Sequence, residues 1–125
     1  MDNEDFGHRI AQLVRANRWE ELLPLMHGVG LPAGWREMIK PVFEEYLGKP
    51  VQSSIIPAAD IPEHQLVWLR NAPRDIQDRL GFAIKLSYET VDSEQSQESG
   101  ELVLPIICID NRWVLLLVGP GAQQD

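Results

Sequence analysis

The strongest constraint on this chain is the stretch ICIDNRWVLLLVGP, residues 107–120. It reads as a hairpin turning at Asp110-Asn111, a two-residue loop that pairs Ile109 with Arg112 and Cys108 with Trp113. Side chains alternate along a strand, so Leu104, Ile106, Cys108, Trp113, Leu115 and Leu117 share one face. Val103, Pro105, Ile107, Ile109, Val114, Leu116 and Val118 share the other. Both faces are apolar. Burial is worth on the order of 25 cal/mol per Å² removed from water, so any fold must cover this hairpin twice.

Upstream, the apolar spacing predicts three helices. Phe6, Ile10, Leu13 and Val14 mark a first helix near residues 4–16, interrupted at Asn17-Arg18. Trp19, Leu22, Leu23 and Met26 make a short second helix, loosened at Pro24 and ended at His27-Gly28, with GVGLPAG as a loop. The third puts Trp35, Met38, Ile39, Val42, Phe43, Tyr46 and Leu47 on one face, with a kink at Pro41. Gly48 and Pro50 end it.

The period then falls to two. VQSSIIPA and HQLVWLR (residues 64–70) read as strands, and NAPRDIQDRLG as a connector with one helical turn. FAIKLSYETV, residues 82–91, sets Phe82, Ile84, Leu86 and Tyr88 against Lys85, Ser87 and Glu89. DSEQSQESG, residues 92–100, is a polar, solvated hairpin tip. Pro105 cannot donate to a ladder, so it marks a bulge or an edge. With no fourth helix in this reading, the second face of the last hairpin calls for a second copy, sheet against sheet about a twofold axis.

The 125 residues form a single α+β domain, 1–125: three N-terminal helices packed on a curved antiparallel sheet. The net charge of −8 disfavours nucleic acid and anionic membrane surfaces, which require basic patches. No apolar run is long enough to span a membrane. The single Cys108 excludes an internal disulfide and points to a cytoplasmic protein.

The layout resembles the NTF2-like (cystatin-like α+β) superfamily. RIAQLVRANRWEELLPLM is similar to the helix-break-helix opening of these domains, with Asn17-Arg18-Trp19 at the break. IDNRWVLLLV is similar to their last hairpin, with Asn111 where a glycine is usual. The resemblance implies a cone-like architecture, dimerisation through the sheet, and functions ranging from isomerases and dehydratases to non-catalytic binding modules. Fold alone does not choose among these.

The chemistry-bearing residues are sparse. His8, His27 and His64 lack metal-ligand spacing: His8 reads as surface, His27 as a helix-end cap, and His64 as a strand start near Asp60 and Glu63. Cys108 sits between isoleucines with no basic neighbour to activate it. HGVGLPAG lacks the GK[ST] of a phosphate loop. The inward positions offer Trp35, Tyr46, Trp68, Tyr88 and Trp113 as ligand-orienting residues, with Ser87 and Thr90 nearby. None is a base, and Asp60 and Glu89 are the nearest acids.

The expectation is therefore a non-enzymatic, homodimeric module that binds a partner protein or a small apolar ligand, with no cofactor and no metal. An isomerase, dehydratase or hydrolase with its site in the cone is the alternative, and an acidic immunity-type inhibitor is a third reading.

Overall fold

In a computed structural model, residues 2–91 and 97–119 are described, the side chain of Trp68 excepted. Among these residues the chain has five α-helices and one five-stranded sheet. The helices are α1 (Asn3–Arg15), α2 (Trp19–Leu22), α3 (Trp35–Glu44), α4 (Glu63–Leu69) and α5 (Arg74–Arg79). The strands are β1 (Met26–Val29), β2 (Gln52–Pro57), β3 (Phe82–Val91), β4 (Gln97–Ile109) and β5 (Arg112–Val118). Their order is β1-β5-β4-β3-β2, an open sheet with β1 and β2 at its edges. No described helix is long and apolar enough to cross a membrane.

The first and third helices form where the apolar spacing places them. Asp2 caps α1 by accepting from the Asp5 N–H at 2.8 Å, which satisfies one of the orphan donors of a helix start. Gly7 lets α1 lie close on β2, because a Cβ there would stand 3.3 Å from Ile55 Cδ1. Helix α3 runs through Pro41, but its apolar stripe is narrower than expected: Phe43 is buried, whereas Met38 and Val42 are exposed. The second helix stops at Leu22 and tightens into a 3-10 turn, Leu23–Leu25, at Pro24.

The last hairpin adopts the expected register. Ile109 pairs with Arg112 and Cys108 with Trp113, and Asp110 and Asn111 both take positive φ, 52° and 64°. Those are the dihedrals a two-residue type I′ turn demands. One face of the sheet joins a core with Phe6, Ile10, Leu13, Leu22 and Phe43 from the first three helices.

Three expectations are corrected. Residues 26–29 are not the end of a helix leading into a loop but strand β1, paired in parallel with β5 from Met26↔Leu115 to Val29↔Val118. The sheet is therefore mixed rather than antiparallel. HQLVWLR is not a strand but helix α4, on which Trp68 lies with its side chain outside the described residues. The connector becomes α5, and the amide of Gln77 ties the two helices by donating to the carbonyls of Ala72 (2.7 Å) and Arg70 (3.0 Å).

These two helices supply the cover that the sequence reading lacked. Ile61, Leu69, Ala72 and Ile76 pack on Ala83, Val103, Ile107, Val114 and Leu116 as a second core. The face that called for a second copy is covered from within the chain. Of the predicted polar tip, residues 92–96 lie outside the described residues, and from Gln97 onward the chain is already strand β4.

Candidate functional site

The sheet forks at Pro105. A two-residue turn makes Ile109–Arg112 a narrow, hydrogen-bonded pair, so the narrow pairs continue at Ile107–Val114 and then at Pro105–Leu116. Proline has no N–H to give at that third position. The β4–β5 ladder accordingly ends at Ile106↔Leu115. Beyond it, β4 continues along β3 and β5 continues along β1.

The fork leaves a slot of about 210 Å³. Leu102, Leu104 and Leu117 line it from the first face, Val103, Leu116 and Val118 from the second, with Pro105 at the fork. Helix α3 contributes Ile39, Val42 and Phe43, and α4 contributes Gln65 and Leu69. Leu31 closes one wall. It is seated where Gly28 and Gly119 leave room: a Cβ on either would lie 2.8 Å or 2.6 Å from a Leu31 methyl carbon. The Gly119 N–H also donates to the Val29 carbonyl at 2.9 Å, which carries the β1–β5 pairing one residue further.

Among the described residues, Gln65 brings the only polar side chain to this lining. Its Nε2 donates to the Val103 carbonyl at 3.2 Å. Val103 belongs to the same alternate set as Ile107 and Pro105, whose backbone groups turn toward β5. Gln65 therefore caps a ladder position that the fork leaves open. The other amide atom, Oε1, is buried and has no partner among the described residues. A buried acceptor left unsatisfied costs about 1–3 kcal/mol.

Of the five aromatic residues expected at a ligand site, the side chain of Trp68 lies outside the described residues; Trp35, Tyr46, Tyr88 and Trp113 do not all converge, and none of these four lines the slot. Tyr46 and Tyr88 do meet, edge to face with ring centroids 5.5 Å apart. The Tyr46 hydroxyl donates to the Glu101 carbonyl at 2.9 Å. The Tyr88 hydroxyl lies 3.3 Å from Glu45 Oε1 and 3.4 Å from Glu98 Oε1. The Lys49 ammonium sits 4.6 Å from the Tyr88 ring centroid and pairs with Glu98 at 2.7 Å. Burial, then the neighbouring Glu45 carboxylate, raises both phenol pKa values above the ordinary 10.0, so both rings are neutral donors at physiological pH.

Tyr88, without Tyr46, borders a groove with Gln52, Ser87, Glu89 and Glu101. The groove is larger than the slot but polar and acidic. Gly100, opposite Tyr88 in the ladder, makes space for the ring: a Cβ there would meet Tyr88 Cε1 at 2.6 Å.

The other sequence candidates are scattered. Trp35 opens α3, half-buried, with the Arg36 guanidinium 4.8 Å from its ring centroid. Trp113 packs half-buried against the first core from the turn end of β5. His8 and His64 are exposed on helices, and His27 is a strand residue opposite Leu116 rather than a helix cap. No group of three His, Cys, Asp or Glu side chains among the described residues could hold a metal ion. Sequence reasoning missed Gln65 because it placed 64–70 in a strand. Pro105 was its one pointer to the fork.

Comparison with protein-family models, curated proteins and solved structures found no match to this chain.

Proposed function

We propose that this protein is a non-enzymatic binding module of NTF2-like layout whose ligand is a small apolar molecule held in the slot between β4 and β5. One observation carries the reading: an apolar slot at the fork where a proline ends a ladder. Twelve of its thirteen described lining residues have hydrocarbon side chains. Among the described residues no titratable side chain lines it, so they offer binding without a base or nucleophile. Its 210 Å³ falls below the roughly 300 Å³ at the small end of ligand pockets, which limits the occupant to a compact molecule.

The test is a screen of neutral, compact apolar compounds by protein-observed NMR, reading the methyl groups of Leu102, Leu117 and Val118. Saturable shifts at these methyls support the reading. Compounds that move only the Tyr88 groove, or nothing, sink it.

A small-molecule isomerase, dehydratase or hydrolase is the second reading. Its support is the Tyr88 hydroxyl beside the Glu45 and Glu98 carboxylates. Glu45 is exposed, and the side chain of Glu98 is 61% exposed, so neither acid is enclosed away from water. Turnover abolished by Tyr88→Phe would favour this reading over binding alone.

A further inference from the structure

We propose that Leu31 sets the size limit of the slot and, carried on loop 30–34, opens and closes it. This rests on the slot being a binding site for small apolar molecules. Every other described lining residue is held on a helix or a strand: Ile39, Val42 and Phe43 on α3, Gln65 and Leu69 on α4, and the rest on β4 and β5. Among the described lining residues Leu31 alone stands on a connection, between β1 and α3. Such a segment moves at lower cost than the elements it joins. Glycines at positive φ bound it, Gly30 at 67° and Gly34 at 82°, and a glycine takes up backbone angles closed to other residues. Between them Pro32 fixes its own φ and biases Leu31 toward extended backbone, so the piece between the two hinges moves as a unit. Pro32 and Ala33 are exposed, which leaves Leu31 to hold the loop against the slot. Its methyl groups rest on Gly28 and Gly119, neither of which has a side chain to obstruct their exit. With Leu31 in place, 210 Å³ suits a single aromatic ring, since an apolar cavity of about 150 Å³ holds benzene. A fused second ring needs the space that Leu31 fills.

Benzene and naphthalene test this, because both are neutral hydrocarbons and differ by one fused ring. Titrations of each are followed at the methyls of Leu102, Leu117 and Val118 in the full chain. In the unmodified protein naphthalene is expected to bind about tenfold more weakly than benzene, or worse. In Leu31→Ala, which cuts the side chain back to Cβ, naphthalene should gain about tenfold while benzene changes by less than about threefold. Leu31→Met, which conserves volume, should restore the preference for benzene. Equal affinities in the unmodified protein, or a ratio that Leu31→Ala leaves unchanged, overturn the size limit and leave the binding site standing. If neither compound moves the slot methyls in any of the three proteins, the binding site itself falls and the role of Leu31 with it. The opening motion is read in the unmodified protein, and so does not depend on a variant folding. Relaxation dispersion should show the Leu31 methyls and the amides of Gly30 and Gly34 in one common exchange process. Leu31 methyls that show no exchange while benzene enters and leaves overturn the gate.

Discussion

Gln65 donates from a helix to the carbonyl of Val103 at 3.2 Å, filling a position that the neighbouring strand would occupy in an unbroken ladder. The strand is absent there because Pro105, two residues on, has no hydrogen to offer it.

Restoring that hydrogen should close the fork. In Pro105→Val, the amide introduced at position 105 can donate to Leu116 and extend the β4–β5 ladder. The new hydrogen bond contributes about 1 kcal/mol, and losing the proline restraint on the unfolded chain costs about 0.4–1 kcal/mol. Overall stability should hardly change. Hydrogen exchange should instead show slow exchange at position 105, and slot ligands should bind at least tenfold more weakly. Fast exchange there would show that the fork has another cause.

The two tyrosines should differ in worth. Tyr46→Phe strands the Glu101 carbonyl and is expected to cost about 1–2 kcal/mol in urea denaturation. Tyr88→Phe removes a hydroxyl whose contacts at 3.3 and 3.4 Å are long, and should cost less than about 0.5 kcal/mol.

The phenols also give a pH signature. Both are held neutral in the folded protein above the ordinary value of 10.0, so the unfolded chain loses these protons first as pH rises. The unfolded state then binds fewer protons than the native state, and stability falls with increasing pH. Their contribution is fully present below pH 10.0 and disappears as pH climbs through the raised native values. The chain has only two tyrosines, so phenolate absorbance reports on this pair alone. It should titrate later in buffer than in denaturant. Coincident curves would contradict the burial of both rings.

Helix α4 supplies an internal control for the second core. Leu69, 6% exposed, packs under the sheet, and Leu69→Ala should cost about 2–5 kcal/mol. Val67, two residues away and 52% exposed, should change stability by less than about 0.5 kcal/mol when replaced by alanine. Similar costs at the two positions would mean that α4 is not seated on that face.

Local rules made part of this legible. The last hairpin could be read to the residue because period-two alternation and the Asp110-Asn111 turn fix register together. Helices α1 and α3 carry long 3.6-period stripes. HQLVWLR misled because its apolar run is continuous from Leu66 to Leu69 and fits either period: Leu66 and Trp68 stand two apart as on a strand, while Leu66 and Leu69 are spaced as on a helix. Pro62 followed by Glu63 is a helix-start signal, and it would have decided for α4. Strand β1 could not be found locally. It is four residues long, contains Gly28, and exists because β5 lies beside it. The slot was invisible for the same reason: a gap between two strands is a property of pairs, and only Pro105 marks it in the sequence.

A sheet ordinarily insulates the two layers packed on it, so each can loosen without the other. Here the fork is a window. Phe43 of the first core and Leu69 of the second border the same cavity, and Val103 and Leu116 form its frame. A molecule lodged there touches both layers at once and acts as a rivet between them. Occupancy should therefore show itself as a sharper, more cooperative melt, in which α3 and α4 leave the sheet as a single event.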